Sequence, residues 1–364
     1  MHVDASVVEA IPDTQTRPYA IAIVQHPPAI PPSLSIYFDL LRLLAAMTVV
    51  VYHTWDRFFP DAHVKWPGHE AVVVFFVLSG YVIAYTAARP GLSWSEYARH
   101  RIARIVPVAW AALALVLGMA LAKGVFPIGA TLANMLFLGQ AGFWWIEAPS
   151  NAPYWSLSYE VWYYVIFGAW VYAPQRYRKA AALAALLLAG PKILLLFPVW
   201  LMGVWLYRHM PALDRQTALV IYALSLCAAI ALCWLDVSDS LRNWLYHVFP
   251  PAWKAHYSTQ FLYDILLGLV VTAHFAAAAA MGTAFGLLKR FEKPIRYLAG
   301  FSFSLYVFHT PLAELFAAET NPAIFYAEMA LCVFVLGQLT ERRVGFYRGL
   351  LTRSVTPKKT SILR

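Results

Sequence analysis

Apolar runs follow one another along almost the whole chain, and this pattern constrains the fold more than any single residue does. Runs suited to the roughly 30 Å hydrocarbon core of a bilayer cover 36–54, 68–88, 105–122, 154–173, 180–190, 193–207, 217–235, 260–286, 298–316 and 323–340. Within lipid every backbone N–H and C=O must be satisfied by the protein itself, so such runs are read as helices. The expected fold is all-α: a polytopic membrane protein of about ten transmembrane helices. Composition agrees, with 61% hydrophobic and 13% charged residues, against roughly 25% charged in soluble domains. The runs 180–190 and 193–207 are short and separated by Gly190, Pro191 and Lys192, so they also read as one broken helix. The apolar stretch 131–146 carries Asn134, Gln140 and two glycines. It is expected to be an interfacial or re-entrant helix rather than a span.

Loop charge orients these spans, because lysine and arginine accumulate on the cytoplasmic side. Placing the amino terminus inside gathers most of the 28 basic residues on that face: Arg89 to Arg104, Arg176 to Lys179, Arg208, Arg215, Lys289 to Arg296 and the tail from Arg342. Both termini are then cytoplasmic. Residues 1–34 are polar and proline-rich, without the pattern of a signal peptide, and are expected to be a disordered cytoplasmic tail. The membrane domain is set at 35–342, followed by a basic cytoplasmic tail at 343–364. The net charge of +9 is explained by orientation and by anionic inner-leaflet lipid rather than by nucleic acid. Cys227, Cys233 and Cys332 all lie in apolar spans, without metal-ligand or disulfide spacing, and are expected to be packing residues.

Polar residues inside the spans are the candidates for chemistry. Arg42 and His53 are eleven residues apart in the first run, which places them within about 20° of one helix face and about 16 Å apart along the axis. An arginine at the centre of a span costs about 2.5–3.5 kcal/mol, so it faces a protein-lined or water-filled interior. With the first span running outward, Arg42 lies in the inner half and His53 at the outer end. An imidazole that titrates near neutrality suits a general base for a hydroxyl, and Glu160 in WSLSYE is a carboxylate that could orient it. The structural readings are an interfacial histidine beside Trp55, an Asp39–Arg42 ion pair, and a Glu160 facing the helix dipole.

Three further groups complete the set. Arg101 and Arg104 share a helix face at the cytoplasmic start of the third span. They suit the phosphates of a nucleotide-bearing donor, or anchor the chain on anionic headgroups. Ser156 and Ser158 stand with Glu160, and FSFSLYVFHTPL places Tyr306 and His309 three residues apart before Pro311. Pro311 frees the carbonyl of Val307, which nearby serines, threonines or water usually satisfy. The aromatics Phe143, Trp144, Trp145, Trp155 and Trp244 fall on the outer side, where they stack on sugars or form an interfacial belt.

Together and in this order, FDLLRLLAAMTVVVYHTW, FFVLSGYVIA, ARHRIARIVP, WSLSYE and FSFSLYVFHTPL resemble the acyltransferase 3 family of polytopic inner-membrane enzymes that acylate bacterial surface glycans. The resemblance covers most of the chain. Arg42 and His53 match the arginine and histidine of the family's first helix, Ser79 and Gly80 match its second, and Arg101 and Arg104 match its paired arginines. Two departures are YVIA in the second helix and Tyr159 where an acidic residue often precedes the glutamate. The resemblance implies a bacterial inner-membrane acyltransferase using cytoplasmic acetyl-CoA, with no metal, and a carbohydrate or glycolipid acceptor at the outer face. His53, Glu160 and Arg42 are then catalytic, Arg101 and Arg104 bind the donor, and Ser156, Ser158, Tyr306 and His309 bind substrate. Membrane lipids, and glycan-assembly proteins, are the expected partners. The chain ends soon after its last apolar run, so transfer is expected to finish within the membrane domain or on a partner. The rival reading is a transporter or flippase whose polar residues form a translocation path and proton relay, although no inverted repeat is evident. A membrane scaffold for glycan assembly would explain the aromatics but leaves Arg42 and His53 without a role.

Overall fold

The structure is a computed structural model that describes residues 30–353 except Thr283. The described chain is helical, without a strand. Its first half comprises α1 (Pro32–Phe58), α2 (Gly68–Ala87), α3 (Trp94–Ala122), α4 (Ile128–Met135), α5 (Trp155–Tyr172), α6 (Arg178–Ala189) and α7 (Pro191–Arg208). The second half comprises α8 (Arg215–Trp234), α9 (Val237–Val248), α10 (Phe261–Ala280), α11 (Glu292–Ala299), α12 (Ser302–Leu315), α13 (Pro322–Leu339) and α14 (Val344–Arg353). Each of the ten apolar runs falls on a helix. Among the described residues six helices are long and apolar enough to cross a membrane unaided, or seven when the bent pair α6 and α7 is taken as one span. The fourteen residues of α12 rise only about 21 Å, because Gly300 and Phe301 separate it from α11.

Local sequence sets where these helices begin. Ser93 caps α3 through a reciprocal capping box: its hydroxyl accepts from the Glu96 N–H at 3.3 Å, while the Glu96 carboxylate accepts from the Ser93 N–H at 3.0 Å. Asp214 caps α8 by accepting from the N–H groups of Gln216 and Thr217. The break between α6 and α7 lies at Gly190, whose φ of +82° is left-handed territory. Pro191, lacking an N–H, then opens α7 as a first-turn proline. The two helices meet at 119°. The buried polar groups of this bend are tied down: the Lys192 ammonium donates to the Trp144 carbonyl, and Ser258 and Tyr163 donate to the carbonyls of Lys192 and Ile193.

The stretch expected as an interfacial or re-entrant helix at 131–146 is helical only as α4, which ends at Met135. Eight residues rise about 12 Å, too short for a span. The rest folds as turns against the α6–α7 bend, where the Gly142 N–H reaches the carbonyls of Leu188 and Ala189. The expected tail boundaries also shift. α1 begins at Pro32, and residues 344–353 form α14 packed on α3. Residues 1–29 and 354–364 of the expected tails lie outside the described residues.

The core is organised around α2 and α7, the most extensively packed helix pair. A Cβ on Gly80 would sit 2.0 Å from the Trp200 carbonyl oxygen, and one on Gly203 would sit 1.9 Å from that of Val77. Glycine on both helices thus lets the backbones touch, the usual device where lipid offers no hydrophobic drive between helices. Trp200, fully buried, donates its indole N–H to Ser79. α1 lies across α2, α11 and α12, which turns Arg42 toward the space between them.

Candidate active site

A cavity of about 320 Å³ opens between α1, α2, α3, α5 and α12. Arg42, Arg101 and Arg104 line it together with Ser156, Glu160 and Tyr306. Five sequence segments, with Arg42 and Tyr306 264 residues apart, therefore meet around one cavity, through helix packing that no local pattern encodes.

Arg42 is shared between structure and site. One of its terminal nitrogens lies 3.2 Å from the Asp39 carboxylate and donates to the Ala299 carbonyl at 2.9 Å. Asp39 also pairs with Arg296 at 2.8 Å, so the expected ion pair is present within a wider network that fixes Arg42 toward the cavity. The Nε groups of Arg42 and Arg101 are buried without a protein hydrogen-bond partner. A buried guanidinium N–H left unpaired is costly, and a bound anion would satisfy both. The Arg101 guanidinium lies about 6 Å from the Tyr97 and Tyr164 ring centres, which holds its plane in place while leaving its edge for hydrogen bonding. The donor set thus fits a phosphate-bearing ligand.

Glu160 occupies a different role from the one expected. α5 begins at Trp155 and has no acidic residue in its first turn, so Glu160 lies beyond the reach of the helix dipole. Its Oε1 accepts from Ser79 and from Tyr164, each at 2.5 Å. The expected orientation of His53 falls to other groups. His53 Nδ1 is 2.9 Å from the Val49 carbonyl and 3.2 Å from His309 Nε2. His53 is exposed, whereas Ala46 and Val49 on the same helix face are buried, so its surface opens at the C-terminal end of α1.

The remaining candidates divide. Ser156 and Tyr306 line the cavity and bond one another at 2.6 Å, with Tyr306 also donating to the Pro153 carbonyl. Ser158 is fully buried, its hydroxyl is unpartnered, and it is not part of the cavity wall. His309 is also fully buried and outside the cavity, donating from Nδ1 to the Tyr306 carbonyl at 2.6 Å. His53, in contact with His309, is not among the residues that line the cavity.

From sequence Ser79 stands out only as a residue of the second-helix motif, and Tyr164 and Asn151 do not stand out at all. Ser79 and Tyr164 hold Glu160. Tyr164 is four residues after Glu160, a helical spacing that signals the contact. Asn151 is the third: its Nδ2 donates to the Val307 carbonyl at 3.0 Å and its Oδ1 accepts from Thr310 at 2.9 Å. The carbonyl freed by Pro311 is thus satisfied by a loop asparagine, which no spacing within α12 foretells.

Comparison with known proteins follows this geometry. A family model for an acyltransferase domain, that of the acyltransferase 3 family, matches residues 35–337. The acyltransferase MdmB of Streptomyces mycarofaciens is 32% identical over an alignment covering 43% of this chain and 46% of that protein. The exopolysaccharide production protein ExoZ of Rhizobium meliloti (strain 1021) is 30% identical, covering 34% of this chain and 41% of that protein. The chain thus aligns with less than half the length of either relative. No solved structure matches it.

Proposed function

The chain belongs to the acyltransferase 3 family, and from that premise we propose that it transfers an acyl group, acetyl above all, from acyl-CoA to a carbohydrate hydroxyl. The observation that carries this reading is the cavity, which is lined by three arginines together with Ser156, Glu160 and Tyr306. Arg101 and Arg104 hold the donor's phosphates from the cytoplasm, and the pantetheine arm runs past Arg42 toward Tyr306. The loop charges favour both termini on the cytoplasmic side, and the family favours a bacterial inner membrane with the donor inside and the acceptor at the outer face. ExoZ, named for exopolysaccharide production, supports a surface glycan or glycolipid as acceptor, delivered by membrane lipid or by glycan-assembly proteins.

In this reading the thioester end of the donor passes Tyr306 to meet the acceptor at His53. His53 removes the hydroxyl proton as the oxygen attacks the thioester carbonyl carbon. A C–O bond forms, the C–S bond breaks, and the departing thiolate recovers the proton from His53 as CoA–SH. Each partner enters and leaves with its protons balanced. A covalent acyl-histidine would use the same nitrogen as nucleophile, and single-turnover labelling with acceptor omitted separates the routes, since only that route leaves label on histidine.

The deciding experiment incubates purified protein in liposomes with labelled acetyl-CoA and a panel of glycan acceptors. Label is expected in the acceptor with wild-type protein and absent with folded His53→Ala. Transfer at the wild-type rate by the variant would remove His53 from the mechanism. Movement of glycan across the liposome without bond formation would replace the enzyme reading with transport.

A further inference from the structure

We propose that His309 is a positioning residue for His53: its Nε2 accepts a hydrogen bond from the His53 Nδ1–H beside the Val49 carbonyl, and this second acceptor helps hold the hydrogen on Nδ1 and present the Nε2 lone pair to the acceptor. This inference rests on the acyl-transfer reading above and gives His309 a role in place of the substrate contact expected from sequence. The hydrogen-bond partners decide the tautomers. A carbonyl only accepts, so His309 Nδ1, at 2.6 Å from the Tyr306 carbonyl, bears a hydrogen. His53 Nδ1, at 2.9 Å from the Val49 carbonyl, bears one for the same reason. His53 Nδ1 and His309 Nε2 face one another at 3.2 Å. Two N–H groups would repel at that separation, so His309 Nε2 carries a lone pair and accepts. His309 is therefore neutral. In the neutral His53 ring the remaining lone pair is on Nε2, the nitrogen left for chemistry.

The surroundings hold this arrangement. His309 stands two residues before Pro311 on α12, and Asn151 binds the Val307 carbonyl and the Thr310 hydroxyl on either side of it. The loop thus clamps the helix where the histidine sits. When His53 Nε2 takes the acceptor proton, the imidazolium N–H at Nδ1 meets two acceptors, Val49 O and His309 Nε2. In Ser-His-Asp sites a carboxylate supports the imidazolium in this way. Here the second acceptor is a neutral ring, so the pair gains one proton during the step and returns it with the thiol.

The test compares wild type, His309→Leu, His309→Phe and His309→Gln, each shown to be folded by monodisperse elution and thermal melting. Leucine and phenylalanine remove the acceptor, and phenylalanine preserves a ring of similar volume. The glutamine carboxamide oxygen restores an acceptor. At saturating donor, kcat is expected to fall about 10- to 100-fold in the acceptorless variants, with KM for acetyl-CoA within about twofold. His309→Gln is expected to recover to within about tenfold of wild type. An unchanged kcat, a loss confined to KM, or a glutamine variant as slow as the leucine one would overturn the proposal. A second readout needs no transfer activity: peptide-mapped labelling of His53 by diethyl pyrocarbonate. It is expected to be several-fold slower in the folded acceptorless variants than in wild type and His309→Gln. Equal labelling rates would overturn the tautomer lock. The expected labelling with no acyl transfer by wild type would instead overturn the function while leaving the histidine pair standing.

Discussion

Arg101 shows how one side chain can be ready for a ligand before any ligand arrives. Its plane rests between two tyrosine rings, and its Nε is buried without a partner. Charge-assisted hydrogen bonds contribute about 1.5–3 kcal/mol, so Arg101→Ala is expected to raise KM for acetyl-CoA about 10- to 100-fold with little change in kcat. Steady-state kinetics in detergent would check the split, and a fall in kcat at constant KM would count against a donor-binding role. Arg101 was legible from sequence because i and i+3 spacing on a helix is local. Ser79 stands out in the sequence only as a motif residue, since its bond to Glu160 crosses from α2 to α5; Tyr164, four residues after Glu160, is within reach of a local reading.

At the level of helices, close approach governs the outcome. Gly80 and Gly203 let α2 and α7 meet at backbone distance, and Gly80→Ala would push a methyl into the Trp200 carbonyl. Overpacking a tight core costs about 1–3 kcal/mol or more, so this variant is expected to lose thermal stability by that order and to express less folded protein. Fluorescence-detected size-exclusion and thermal melting would measure both, and a wild-type melt would contradict the close contact. α12 depends on a different device. Asn151→Leu strips the donor from the Val307 carbonyl and the acceptor from Thr310, with a cost of about 1–3 kcal/mol for the unsatisfied carbonyl. Because the same loop steadies His309, kcat is expected to fall along with the melting temperature, while KM for the donor holds. A stability loss with normal kcat would separate the loop from the histidine pair.

For the whole molecule, orientation in the membrane is the property on which donor and acceptor access depend. On the proposed sidedness Trp144 lies outside and Lys289 inside, and both are exposed in the fold. In a background with Cys227, Cys233 and Cys332 replaced by serine, Trp144→Cys is expected to react with a membrane-impermeant maleimide in intact spheroplasts. Lys289→Cys is expected to react only after permeabilisation. The reverse pattern would invert the proposed sidedness and put acetyl-CoA on the wrong face.

The sequence alone determined that the chain is a bundle of apolar helices and that a few polar residues inside it call for explanation. Hydropathy and helical spacing are local properties, and a buried charge is costly wherever the helix finally packs. It also brought out Arg42, Arg101, Arg104, Glu160 and Tyr306, all of which the fold gathers around one cavity. Only the tertiary structure decided how they are partnered. It moved Glu160 to Ser79 and Tyr164, left Ser158 outside the cavity wall, set His309 against His53, and brought Asn151 to the carbonyl exposed by Pro311. The Glu160–Tyr164 bond within α5 apart, those contacts join residues 81 to 256 positions apart. They arise from glycine-permitted helix crossings and from the need to satisfy each buried polar group, constraints that become specific only once the helices are packed.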